Sequence, residues 1–260
     1  MHTLLRVNMK TKRCTYEPMP EQIRGLGGRG LSSSLVAREV PPGADPLGPD
    51  NRLVVAPGML SGTICPNSGR LSIGGKSPLT GSIKESNVGG TGAAKMARIG
   101  IEALIIEDRP EPGKLYVLSL KKNTAELIPA DKLKGLGTYG TAQMIRKKFG
   151  EKNAVLCIGP AGEMQLRSAS IQVTDPDGNP CRAAGRGGLG ALMAAKGLKA
   201  VVVDDTDGQS PPIADPELFR SGQKKVAEAI RNHPFTGQAM PALGTAMVVA
   251  VINAIGAFPA

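Results

Sequence analysis

The stretch Ser86-Asn87-Val88-Gly89-Gly90-Thr91-Gly92-Ala93-Ala94-Lys95 returns later as Gly185-Arg186-Gly187-Gly188-Leu189-Gly190-Ala191-Leu192-Met193-Ala194-Ala195-Lys196, with Gly89 and Gly187, and likewise Gly92 and Gly190, 98 residues apart. Each glycine loop is followed by a small-residue helical stretch, a break at Gly100 or Gly197, and an apolar run ending in acid, residues 103–108 and 200–205. Upstream, residues 51–58 resemble 153–160, and the strand-like start Arg70-Leu71-Ser72-Ile73 resembles residues 167–171. A chain with this ordered repeat is constrained to fold as two copies of one loop-helix-strand unit. Two glycine-rich helix starts would offer two sets of backbone N–H groups to an anion, which suits a ligand with two phosphates or two phosphorylated ligands.

The spacing of turn residues predicts many short strands. Residues 4–9 and 13–17 alternate around Lys10-Thr11-Lys12 and read as an opening hairpin. Strands are expected at 53–56, 71–74, 104–106, 115–120, 125–128, 154–158, 169–173 and 200–203, with helices at 31–39 and 141–149. Strand and helix do not alternate regularly, so the expected class is α+β: two β-rich subdomains, about residues 1–110 and 111–210, each with a short glycine-loop helix. The polar segment 204–212 marks the expected boundary of a cofactor-binding domain, residues 1–210, from helical sequence at 211–260. Helices at 216–230 and 245–255 are expected there. The second is apolar on most sides and made to be buried, which suggests the front part of a longer protein.

With 41% hydrophobic residues among 260 the chain can supply a core, but 3% aromatics and no Trp leave Val, Ile, Leu, Ala and Met to build it. The net charge of +10 suits an anionic partner. Nucleic acid is a poor candidate, because the basic residues are dispersed and aromatic stacking platforms are lacking. Cys14, Cys65, Cys157 and Cys181 form no Cys-x-x-Cys pair, which argues against a zinc site or disulfide framework and for small buried thiols in a reducing, cytoplasmic setting. The longest apolar run, 246–252, is too short to cross a bilayer, so no membrane partner is expected. His2 and His233 stand without partners at suggestive spacing and read as surface residues.

Seven blocks together resemble the amino-terminal domain of the aldehyde ferredoxin oxidoreductase family, the tungsten or molybdenum bis-pterin enzymes. They are Gly28-Arg29-Gly30-Leu31, residues 45–51, Ser68-Gly69-Arg70, Lys76-Ser77-Pro78-Leu79-Thr80-Gly81, Ser86-Asn87-Val88-Gly89-Gly90, residues 158–163 and residues 182–191. The resemblance implies a base of two β-rich subdomains carrying a metal held by two pterin dithiolenes. It implies pterin contacts at Arg70, Gly89, Arg182, Gly185 and Arg186, and a magnesium ion linking the pterin phosphates through the backbone carbonyls of Asn87 and Ala183. It further implies a [4Fe-4S] cluster held by residues beyond this chain, an aldehyde substrate, and ferredoxin or an electron-transfer subunit as acceptor, in a possible homo-oligomer. Thr91 stands where aldehyde oxidisers of the family often carry an aromatic residue, which leaves other substrates open, aromatic acyl thioesters among them. The alternative reading of the residues alone is a non-enzymatic phosphate- or nucleotide-binding module.

Overall fold

The structure, a computed structural model, describes residues 3–258. The chain divides into two compact units, one running to Thr63 and again over Asn67–Pro211, the other comprising Ile64–Pro66 and the chain from Pro212 onward.

The first unit holds two six-stranded sheets with one topology. Strands β1 (Thr3–Asn8), β2 (Arg13–Pro18), β3 (Leu53–Pro57), β4 (Leu71–Lys76), β5 (Ile83–Val88) and β6 (Ile101–Glu107) form the first sheet in the order β2-β1-β6-β3-β4-β5. Strands β7 (Tyr116–Lys121), β8 (Thr124–Pro129), β9 (Ala154–Cys157), β10 (Ile171–Val173), β11 (Arg182–Ala184) and β12 (Leu198–Val203) form the second as β11-β10-β9-β12-β7-β8. Adding six to every strand number turns one order into the other. Each sheet has one parallel pair, β1 with β6 and β7 with β12, and all its other pairs are antiparallel. Both parallel pairs skip one residue at the same place, Glu102 in β6 and Lys199 in β12, so even the bulge is duplicated.

Helices follow the same rule. Helix α1 (Gly28–Glu39) corresponds to α3 (Thr138–Phe149), and the short α2 (Gly92–Arg98) corresponds to α5 (Leu189–Ala195); a single extra turn, α4 (Pro160–Glu163), belongs to the second copy. Alternation along the strands sorts the apolar side chains. Leu5 and Val7 of β1 join Leu118, Leu156, Leu189 and Leu192 in a core shared by both sheets, while Leu4, Val54 and Ile105 pack with Leu31 and Leu35 of α1. On the opposite outer face Val117, Val155 and Val202 meet Ala142 and Ile145 of α3. Strands β6 and β12 are therefore covered on both faces, which is why they read as unbroken apolar runs. Each fully buried leucine of this core contributes about 1.5–3 kcal/mol of transfer free energy.

Among the buried polar residues are two lysines. Lys196, just after α5, donates to the carbonyls of Gly48 and Pro49, both at 3.0 Å. Burial, with Arg52 nearby, pushes its pKa down to about 7. Lys199, at the bulge, pairs with Glu163 of α4 and donates to the Leu136 carbonyl at 2.8 Å.

The second unit carries α6 (Pro216–Asn232), capped by the Asp215 carboxylate accepting from the Glu217 and Leu218 amides. Beyond it lie a π-helical turn (Pro234–Ala239), α7 (Met240–Leu243), a 3-10 turn (Gly244–Val248) and α8 (Val249–Ala254). The apolar helix expected at 245–255 is thus broken, and it is exposed rather than buried: Val251 is 61% and Ile255 71% exposed. Taken together, Pro234–Ala254 is long and apolar enough by length and composition to cross a membrane, which the 246–252 run alone did not reveal. His233 is exposed, with Nδ1 accepting from the Phe235 amide, whereas His2 lies outside the described residues. Of the cysteines only Cys157 is buried; Cys14 and Cys65 are half-buried and Cys181 is exposed, against the expectation of mostly buried thiols.

Candidate functional site: a cationic cleft between equivalent edge strands

The two glycine loops do not present free helix starts. Each is seated in the other repeat. The Thr91 amide donates to the Thr174 carbonyl at 2.9 Å, and a Cβ on Gly90 would lie 2.6 Å from that same oxygen. Reciprocally, the Ser77 hydroxyl donates to the Gly187 carbonyl at 2.7 Å, and a Cβ on Gly187 would lie 2.4 Å from Lys84 Cγ. The Gly190 amide is likewise used, donating to Ala169 at 2.9 Å. The Thr91 amide and the Ser77 hydroxyl thus satisfy carbonyls across the repeat interface, while the Gly190 amide satisfies one within its own repeat, and the glycines at 90, 187, 188 and 190 permit these close approaches.

What the seating brings together is the pair of outermost strands. Strand β5 ends the first sheet, β11 ends the second, and the Arg186 amide at the end of β11 donates to Ser86 Oγ of β5 at 3.2 Å. Asn87 lies opposite Ser72 in the β4/β5 ladder and Ala183 opposite Gln172 in the β10/β11 ladder, so the two residues hold equivalent register positions. Both lie in strands, Ile83–Val88 and Arg182–Ala184, that the turn spacing did not predict. Neither strand shows a hydrophobic pattern in sequence, because both are polar, short and at an edge.

Between them opens a cleft of about 480 Å³ lined by Arg29, Arg70, Glu85, Ser86, Asn87, Ala183, Gly185 and Arg186. Arg70 precedes β4 and its Nε donates to Asn87 Oδ1, fixing the amide oxygen. Gly89 lies against Arg70, since a Cβ there would stand 3.4 Å from Nη1. Gly185 is different from the seated glycines, for the nearest atom to a Cβ there is Ala183 Cβ at 3.9 Å, so its backbone is bare toward the cleft. Arg182 is exposed and does not line the cleft; it stands next to Cys181, whose thiol donates to Asp175 at 3.1 Å and is held above its usual range by that carboxylate. Five of the seven residues singled out from sequence therefore line one cleft, Gly89 backs it through Arg70, and Arg182 stands outside. Arg29 and Glu85 were missed as site residues, although Arg29 belongs to one of the family-like blocks.

Three guanidinium groups against one carboxylate make the cleft cationic, and planar forks beside bare backbone suit phosphate oxygens. Oxygen donors at Asn87 and Ala183 suit a hard divalent cation beside phosphate. Among the described residues no three His, Cys, Asp or Glu side chains gather to hold a metal. A redox metal at this face would therefore take its ligands from the bound group, and the residues present fit a bis-pterin with two phosphates.

Fold and cleft define a class of protein: a duplicated α+β base presenting one cationic cleft between equivalent edge strands. The chain belongs to the aldehyde ferredoxin oxidoreductase family, whose N-terminal domain matches residues 4–205. It is 38% identical over 258 residues to the tungsten-containing aldehyde ferredoxin oxidoreductase of Pyrococcus furiosus, and 38% identical over 258 residues to that of Thermococcus kodakarensis. Each match covers 98% of this chain and 41% of the relative, so the chain spans about two fifths of the curated relatives' length. Among solved structures, the active-site complex BamBC of benzoyl coenzyme A reductase, bound to 1,5-dienoyl-CoA, superposes with a TM-score of 0.82 at 30% identity, over 88% of this chain and 34% of that one.

Proposed function

We propose that this chain is the cofactor-binding base of a tungsten, or molybdenum, bis-pterin oxidoreductase that oxidises aldehydes to carboxylic acids and passes the electrons to ferredoxin through a [4Fe-4S] cluster. The observation that carries the reading is the equivalent register of Asn87 and Ala183 on two edge strands that share one arginine-lined cleft. A pseudo-symmetric protein site matches a pseudo-symmetric ligand, two pterins each ending in a phosphate.

When bound, the metal and its dithiolenes supply the redox chemistry. The residues of this chain bind and orient. Arg70 and Arg186 would supply charge-assisted hydrogen bonds to phosphate oxygens, Gly185 would let the ligand approach the backbone, and Gly89 leaves room for the Arg70 guanidinium behind the cleft. Asn87 and Ala183 would offer their carbonyl oxygens to a magnesium ion, which would balance phosphate charge. Arg182, outside the cleft lining, would reach the ligand from the β11 edge. A cytoplasmic enzyme is the setting that suits this chemistry.

The test is tungsten, molybdenum and pterin content of the full-length protein, with aldehyde-dependent reduction of ferredoxin. Full-length protein carrying neither metal nor pterin after growth with tungstate and molybdate would overturn the proposal. The structural neighbour that acts on a coenzyme A thioester favours a second substrate class, aromatic acyl thioesters. Loaded enzyme that ignores aldehydes but turns over such thioesters would decide for that class.

A further inference from the structure

Glu85 is an odd residue to find in an anion-directed cleft. It lies on β5 with only 13% of its side chain exposed, and its Oε1 accepts from Ser72 Oγ at 2.9 Å. Since the Ser72 proton goes to the carboxylate, Ser72 must itself accept, and its partner at 2.8 Å is the buried hydroxyl of Ser32 in α1. This relay fixes the carboxylate from below. The other oxygen, Oε2, faces Arg29 Nε at 3.6 Å. Arg29 leaves the first turn of the same helix α1 and is 73% exposed, yet it lines the cleft beside Arg70 and Arg186. So one partner of this ion pair is anchored and the other is free to move.

Resting on the reading of the cleft as a phosphate site, we propose that Arg29 is a third anion-contacting arm, held at the cleft by Glu85 and transferred from that carboxylate to a ligand phosphate on binding. A pair at 3.6 Å with its arginine exposed is weak, whereas a guanidinium fork on a phosphate dianion makes two short charged hydrogen bonds, so the exchange favours the ligand. Glu85 keeps the arm in place while the cleft is empty, and it competes mildly with the anion for it.

Inorganic pyrophosphate is the probe, titrated calorimetrically into this chain and its variants, with thermal midpoints recorded with and without the probe. Arg29→Ala is expected to raise the dissociation constant about tenfold, the loss of one charged hydrogen bond, while Arg29→Lys restores part of it. Glu85→Gln is expected to tighten binding about threefold in the parent chain and to change it little in the Arg29→Ala background, because the competition it removes passes through Arg29. The probe-free thermal midpoint of Arg29→Ala should match the parent, which separates a binding role from a structural one. If Arg70→Ala and Arg186→Ala lose affinity but Arg29→Ala does not, Arg29 is no arm and only this inference falls. Equal tightening by Glu85→Gln in both backgrounds would make Glu85 a simple repulsive charge and overturn the exchange. If the parent does not bind pyrophosphate, or Arg70→Ala and Arg186→Ala bind like it, the phosphate reading falls and this inference with it.

Discussion

The ammonium of Lys196 donates to the carbonyl of Gly48 at 3.0 Å from a fully buried position. The equivalent residue of the first repeat, Ile99, is apolar and nearly buried, so one copy fills this place with hydrocarbon and the other with a cation that tethers the 45–51 loop.

That tether predicts a pH dependence. Burial lowers the Lys196 pKa from its ordinary value to about 7, so between about pH 7 and 10.5 the unfolded chain binds more protons than the folded one. Stability from this group therefore rises with pH across that window, by at most about 1.4 kcal/mol per pH unit, and is lost as pH falls toward 7. Burial pushes the Cys157 thiol the other way, up to about 12, so it opposes this trend only above its ordinary value near 9. Urea melts of the first unit at pH 7, 8 and 9 should show the rise in the parent and a flat profile in Lys196→Met; a flat parent profile would count against a depressed lysine.

The seated and bare glycines should respond oppositely to one methyl group. At Gly190 the added Cβ would stand 2.5 Å from the Ser170 carbonyl oxygen, while at Gly185 nothing comes nearer than 3.9 Å. Helix propensity would reward Gly190→Ala by about 1 kcal/mol, but overpacking against backbone costs about 1–3 kcal/mol or more, and here the obstacle cannot rotate away. Gly190→Ala is expected to lower the denaturant midpoint clearly. Gly185→Ala should leave it unchanged and weaken pyrophosphate binding instead.

Lys199 and Glu163 form a pair in which Glu163 also accepts the Gly135 amide, so the pair joins β12, α4 and the loop before α3. Removing one partner strands the other charge in the interior. Glu163→Gln or Lys199→Met alone should each cost about 3–5 kcal/mol, and the double substitution should cost clearly less than their total. Additive losses in the double-mutant cycle would show that the two side chains act separately.

Arg182 and Arg186 are four residues apart, yet only Arg186 lines the cleft. In full-length protein grown with limiting tungstate, Arg186→Ala is expected to lower metal content about tenfold, in keeping with the loss of a charged hydrogen bond, and Arg182→Ala by about twofold. An equal loss would mean that Arg182 reaches the ligand as directly as Arg186 does.

The core of this fold was legible because β6, β9 and β12 are apolar and bounded by glycine or proline, and because the glycine loops repeat at constant spacing. The two strands that carry the site were not legible. Residues 83–88 and 182–184 are polar edge strands with one open side, and no hydrophobic period marks such a segment. The glycine loops were read as anion cradles because glycine density says that something comes close without saying what; here it is the protein's own backbone at Gly90, Gly188 and Gly190 and the Lys84 side chain at Gly187. Lys196 and Lys199 could not be distinguished from surface lysines, since their partners, Gly48, Pro49, Leu136 and Glu163, lie 36 to 148 residues away. The family resemblance supplied Asn87 and Ala183; the ladder register explains why those two positions form a pair.

The reciprocal seating also governs how the two copies can diverge. Gly90 rests on Thr174 and Gly187 on Ser77, and both seats carry a small hydroxylated residue that bonds the backbone around it. A larger side chain at Gly90 would meet the Thr174 carbonyl and one at Gly187 the Lys84 side chain, and both glycines have positive φ, so neither loop accepts one without a shift in the opposite copy. The halves of this duplicated chain are thus bound to drift as linked pairs at these contacts, while the outer helices α1 and α3, whose buried faces pack against their own sheets, are freer to part ways in sequence.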